Sequence, residues 1–66
     1  MDIIVNGEAK TVADGLTVAQ LLEQWQIPTG GTAVARNDTV MRKASYADTV
    51  LAAGDRIEII RAVAGG

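Results

Sequence analysis

The sequence predicts an α+β domain in which a mixed sheet of four to five strands packs on a single helix. Three observations carry this expectation. An Asn6-Gly7 pair sits between two strand-like runs, one amphipathic stretch follows over residues 17–25, and an Ile-rich run, Arg56-Ile57-Glu58-Ile59-Ile60-Arg61, closes the body. A lone amphipathic helix has no second helix to cover its apolar stripe, so a sheet must cover it. At 66 residues the chain is one domain, and a domain of that size buries only about 60% of the surface its unfolded chain exposes. Residues 1–61 are expected to form the folded body and residues 62–66 a flexible C-terminal tail.

Ile3-Ile4-Val5, Asn6-Gly7 and Glu8-Ala9-Lys10-Thr11-Val12 read as a β-hairpin. Asn-Gly is the preferred pair for a type I′ turn, which needs positive φ at both central residues. The two-residue period of a strand places Ile3 and Val5 on one face and Ile4 on the other. Asp14-Gly15 breaks the strand. Thr17 is expected as the N-cap of the helix, with Gln20 three residues on to complete a capping box. Val18, Leu21, Leu22 and Trp25 recur at i, i+3, i+4 and i+7 and form one apolar stripe, while Gln20, Glu23, Gln24 and Gln26 face water. Trp25 is a candidate stacking residue, but its place in the stripe favours core packing. Pro28 is expected to stop the helix and Gly30-Gly31 to lengthen the loop that follows.

Ala33-Val34-Ala35-Arg36 reads as a short strand, and Asn37-Asp38 as a turn into Thr39-Val40-Met41-Arg42. Residues 44–49, around Tyr46, are expected to form an irregular or single-turn crossover. Val50-Leu51 then return to the core, and Gly54-Asp55 turn the chain into the last strand. Spacing alone does not order the strands in the sheet.

Composition removes several classes of function. With no Phe, and Trp25 and Tyr46 as the only aromatics, the core must be built from Ile, Val and Leu. A ligand pocket of about 300–1,000 Å³ would consume it, which argues against an enzyme with its own buried active site. The chain has no Cys and no His, which removes thiolate nucleophiles, the imidazole base and the N/S ligand sets of zinc or copper. Its eight acidic residues are scattered singly, without the spacing of a calcium loop. No metal or cofactor is therefore expected on the chain itself. A formal charge of −2 and a pI near 4.7 argue against nucleic acid. Gly30-Gly31 precedes no Gly-Lys-Ser/Thr, so it is not a phosphate loop. Arg42-Lys43, the only adjacent basic pair, reads as a solvated strand end. No apolar run approaches the length of a membrane span, and Met1-Asp2 starts no signal peptide, so a cytoplasmic location is expected.

Chemistry is concentrated in Ala62-Val63-Ala64-Gly65-Gly66. Five extended residues reach about 16 Å, enough to carry a terminal carboxylate into another protein's active site. Gly66 is the candidate acyl site, and Gly65, Ala64 and Val63 are the candidates for insertion into a narrow channel. Glycine lets surrounding backbone approach closely, and a small residue beside the reacting carbon leaves room for attack. The carboxylate itself is a poor electrophile. It would first have to be converted to an acyl-adenylate or an equivalent with a good leaving group. The competing reading is that chain ends are commonly small, polar and without function.

The order of these segments resembles the ubiquitin-like β-grasp proteins, and among them the ThiS family of thiamine-biosynthesis sulfur carriers. The resemblance rests on Ile3-Ile4-Val5-Asn6-Gly7-Glu8, Thr17-Val18-Ala19-Gln20-Leu21-Leu22, Val34-Ala35-Arg36-Asn37, and the run from Gly54-Asp55 through Gly65-Gly66. Met41 and Tyr46 stand where that family usually has Pro and Trp. What the resemblance implies is a carrier that is a substrate rather than an enzyme. An E1-like adenylyltransferase of the ThiF type, using ATP and Mg²⁺, would adenylate the Gly66 carboxylate. Sulfur from cysteine, passed on as a persulfide by a desulfurase system, would displace AMP and leave a thiocarboxylate for a thiazole synthase of the ThiG type. In a β-grasp sheet the first and last strands are neighbours, so Ile4 and Ile60 are expected close together on a face the helix cannot cover, with Glu58 beside them. Contiguous exposed apolar surface of this kind commonly marks a partner site. The small subunit of molybdopterin synthase, a ubiquitin-like protein modifier and a non-catalytic interaction module remain as alternatives.

Overall fold

The structure is a computed structural model and describes residues 1–61. Its elements in chain order are β1 (Asp2–Val5), β2 (Glu8–Thr11), α1 (Val18–Gln24), β3 (Thr32–Arg36), β4 (Thr39–Val40), a 3-10 turn (Lys43–Ser45) and β5 (Arg56–Arg61). The five strands form one mixed sheet in the order β2-β1-β5-β3-β4. β1 and β5 run parallel, and every other neighbouring pair is antiparallel. This is the expected β-grasp arrangement.

The hairpin forms where the Asn-Gly pair places it. Asn6 and Gly7 both have positive φ, 50° and 81°, so their twist matches that of the flanking strands. Asn6 also fastens this turn to the far strand. Its Oδ1 accepts from the Ile59 backbone N–H at 2.9 Å, and its Nδ2 donates to the Ile59 carbonyl at 3.4 Å.

Thr17 and Gln20 close the expected capping box. Thr17 N–H donates to Gln20 Oε1 at 2.9 Å, and Gln20 N–H donates to Thr17 Oγ1 at 3.1 Å. The helix ends earlier than Pro28. Trp25 is the C-cap and Gln26 turns left-handed at φ 56°, while Gln26 N–H bonds Glu23 O and Ile27 N–H bonds Leu22 O. That pair of bonds is a Schellman motif, and it satisfies the last carbonyls two residues before proline becomes relevant. Ile27 packs back on the core as the apolar partner of the motif.

The core lies between α1 and one face of the sheet. Ile3, Val5, Leu16, Val18, Leu21, Leu22, Val34, Tyr46, Leu51 and Ile57 are buried there, with Trp25 and Ile59 packed at its margin. Val50 does not return to the core. It is 54% exposed, because it bridges Thr17 in a strand-like conformation and alternation then sends only Leu51 inward. Asp55 is the other departure. A turn residue was expected, yet it is 6% exposed and collects hydrogen bonds from Arg36, Asn37 and Ala52.

Candidate functional site

β5 sits at the centre of the sheet between β1 and β3, and its last residue, Arg61, is opposite Thr32 at the start of β3. Val63, Ala64, Gly65 and Gly66, the residues to which tail insertion and acyl chemistry were assigned, lie outside the described residues.

The phase of β5 is as the two-residue period predicts. Ile57 is buried and Ile59 half-buried on the helix side, whereas Arg56, Glu58 and Ile60 face outward. Ile60 is 57% exposed and pairs with the exposed Ala33, while Glu58 pairs with Ala35. Ile3 and Val5 are buried and Ile4 is 39% exposed. All three candidate partner residues of the body, Ile4, Glu58 and Ile60, therefore share the face opposite the helix.

The register keeps two of them apart. Ile4 is level with Arg56 in the parallel pair, flanked on its other side by Ala9, and Ile60 lies four residues further along the same strand. Four residues of strand span about 13 Å. Parallel neighbours run in the same direction, so strand adjacency alone did not bring the two isoleucines together. The outer face thus carries two apolar spots, Ile4-Ala9 and Ile60-Ala33, with Arg56 and Glu58 between them.

Electrostatics divide this face further. Arg56 Nη2 bonds Asp38 at 2.7 Å beside this face, whereas Lys10 and Glu8, level with the inward-facing Ile3 and Val5, pair at 3.2 Å on the helix side of the edge strand. Both pairs are solvent-exposed, where an ion pair contributes at most about 1 kcal/mol. Beneath the start of β5, burial pushes the Asp55 carboxyl up. The Ala52 N–H, the Arg36 and Asn37 side chains and the Arg36 charge outweigh that effect and hold it below its ordinary value.

The outer face also carries Val40, 72% exposed in β4 and level with Ala35. The alternation between Val40 and the half-buried Met41 was the signal that could have placed it there. Among the described residues no group of three or more His, Cys, Asp or Glu side chains could hold a metal. No helix there is long and apolar enough to cross a membrane. An open groove of about 660 Å³ lies between the residue 13–16 loop and α1, lined by Asp14, Gln20 and Glu23. It lies on the helix side of the sheet, away from the tail root.

Over residues 3–66 the chain matches the model of the ThiS family. It is 35% identical over 66 residues to the sulfur carrier protein ThiS of Escherichia coli, with all of both chains covered. It is 33% identical over 66 residues to a thiazole synthase of Paramagnetospirillum magneticum, of whose length it spans only 20%. The crystal structure of the thiamine biosynthesis protein ThiS from Geobacter metallireducens is similar with a TM-score of 0.87, at 29% identity and with full coverage of both chains. The solution structure of the thiamine biosynthesis protein from that organism gives a TM-score of 0.83 at 29% identity, with 88% of that chain covered.

Proposed function

The chain belongs to the ThiS family, and on that premise we propose that it is a sulfur carrier of thiamine biosynthesis that holds sulfur as a thiocarboxylate on Gly66. The observation that carries the reading is the match to the sulfur carrier protein of Escherichia coli along the whole of both chains, tail included. The fold supports it. The strand that leads to the tail is central in the sheet, so the body can act as a rigid grip while a partner works on the chain end.

In this reading one carboxylate oxygen of Gly66 attacks the α-phosphorus of ATP on an E1-like adenylyltransferase, and pyrophosphate leaves. A persulfide sulfur on a partner then attacks the acyl carbon and AMP leaves. A thiolate cleaves the resulting S–S bond, so that the thiocarboxylate stays on Gly66 and the partner sulfurs end as a disulfide. The activating enzyme supplies the charge stabilisation for the first step. Similarity to part of a thiazole synthase supports an enzyme of that class as the acceptor of the sulfur.

The test is incubation with ATP, Mg²⁺, a ThiF-type adenylyltransferase, a cysteine desulfurase and cysteine, followed by intact-mass spectrometry. The expected product is the chain with one oxygen exchanged for sulfur at its C-terminus. Conjugates of higher mass on lysines would instead show a protein modifier. An unchanged mass in a reaction that loads a known sulfur carrier would overturn the proposal.

A further inference from the structure

β1 leaves β5 early. Their parallel register ends with Val5 opposite Ile57, because the chain doubles back at Asn6-Gly7, where both residues have positive φ. β5 continues to Arg61. On its other flank β3 stays paired with it as far as Thr32, opposite Arg61. On the β1 flank, among the described residues, the side chain of Asn6 extends the hold past Ile57 to Ile59.

The bonds show what that side chain replaces. Asn6 N–H donates to the Ile57 carbonyl at 2.9 Å, and the next rung of a parallel ladder would take the Ile59 N–H to the Asn6 carbonyl. Ile59 N–H donates instead to Asn6 Oδ1 at 2.9 Å, and Asn6 Nδ2 donates to the Ile59 carbonyl at 3.4 Å. The side-chain amide stands in for a strand residue. It carries both an acceptor and a donor, and asparagine also tolerates the left-handed backbone of the turn, so one residue makes the turn and the rung. Ile59, whose side chain packs on the core, is thereby held on both flanks two positions before Arg61.

We propose that Asn6 is a positioning residue for acyl-adenylate formation: by closing the rung on Ile59 it fixes the direction in which β5 presents the chain end to the adenylyltransferase. The inference rests on the carrier reading above, because it needs a partner that acts on Gly66. A carboxylate attacks the α-phosphorus of ATP from a narrow range of geometries, and a tether loosened at its base spends less time within that range. Without the Asn6 amide, the Ile59 N–H and carbonyl would bond water, and β3 alone would hold the end of β5. Docking keeps its surface. Ile60 retains its pairing with Ala33 and its exposure, so the loss falls on the step that follows binding. The turn itself does not require the amide, since Gly-Gly also suits a type I′ turn.

The test is ATP–pyrophosphate exchange by a ThiF-type adenylyltransferase, measured against carrier concentration to give kcat and KM, with thermal melts on the same chains. Asn6→Gly keeps the turn and removes the rung. Its kcat should fall about tenfold while KM stays within about twofold, and its Ile59 amide should exchange faster with solvent by NMR. Asn6→Asp keeps the acceptor for the Ile59 N–H, and its kcat should lie between those of Asn6→Gly and the wild type. Thr17→Ala is the control, destabilised by loss of a helix cap whose partners are Gln20 and Val50 rather than β5. Its kcat should match the wild type although it melts lower. Wild-type kcat in Asn6→Gly would overturn the inference alone, as would a rise in KM with kcat unchanged, an equal fall in kcat in Thr17→Ala, or an Asn6→Asp chain no faster than Asn6→Gly. A wild type that supports no exchange where a known sulfur carrier does would overturn the carrier reading, and the role of Asn6 with it.

Discussion

Arg36 donates from Nε to the Asp55 carboxylate at 2.9 Å, across an acid side chain only 7% exposed. The bond ties the end of β3 to the turn that launches β5. Asn37 Nδ2 at 3.2 Å and the Ala52 N–H at 2.8 Å complete the cradle. β5 is thus held at its start by a charged pin and by β1 at Arg56 and Ile57, and from Ile57 to Arg61 by β3.

That pin sets a pH dependence with a definite sign. The carboxyl is held below its ordinary value of 3.8 in the fold, so the unfolded chain takes up a proton first as pH falls. The stability that Asp55 contributes is complete above about pH 4 and is lost as pH drops through the lower folded value. Asp55→Asn should cost about 2 kcal/mol at neutral pH, the scale of hydrogen bonds to a charged group. The difference in melting temperature between wild type and variant should narrow steadily below about pH 4. A gap that stays constant down to about pH 2 would show that the charge contributes nothing.

Gln26 offers a gain in stability. It occupies the left-handed position of the Schellman motif at φ 56°, where a residue with a Cβ is strained by roughly 1–2 kcal/mol. The side chain is exposed, so nothing is lost in packing. Gln26→Gly should raise stability by about 0.5–1 kcal/mol after the extra freedom of glycine in the unfolded chain is subtracted. Chemical denaturation with an unchanged m-value would check it. Destabilisation would mean that the Gln26 side chain makes a contribution its exposure does not suggest.

The local features of this fold were visible in the sequence, and the non-local ones were not. Asn6-Gly7, the Thr17-Gln20 box and the two-residue phase of β1 and β5 each depend on residues a few positions apart, so pattern alone located them. The separation of Ile4 from Ile60 depends on how β1 and β5 slide past one another, which no run of either strand encodes. Asn6 reaches Ile59 across 53 positions and Arg36 reaches Asp55 across 19, and each looked like an ordinary turn or strand-end residue. The helix end was misplaced for a different reason. Pro28 is a loud stop signal, and it masked the quieter one two residues earlier.

Gly66 is assigned chemistry and no part in the body. Its deletion should therefore leave the melting temperature of the body nearly unchanged, because every core residue among those described lies before residue 60. Thiocarboxylate formation should be abolished. Sulfur incorporation at the shortened terminus, detected by intact-mass spectrometry, would show that the acyl site had been misplaced.

Ile60 separates partner binding from folding most cleanly. It is 57% exposed on the outer face and pairs with Ala33, while its sequence neighbour Ile59 packs on the core. A charge at residue 60 would meet water in the free protein, so Ile60→Asp should change stability by no more than about 1 kcal/mol. In a docked complex the same charge would be desolvated next to the tail root, where even a modest hot spot costs over about 1–2 kcal/mol. Binding to the adenylyltransferase should weaken more than about tenfold. Ile4→Asp supplies the contrast. Ile4 is about 13 Å away along the sheet, so the two substitutions should act on stability additively. Titration calorimetry and thermal melts on both variants decide the matter. Full affinity in a folded Ile60→Asp chain would remove the tail root from the interface, and a collapse in stability would place Ile60 in the core against its observed exposure.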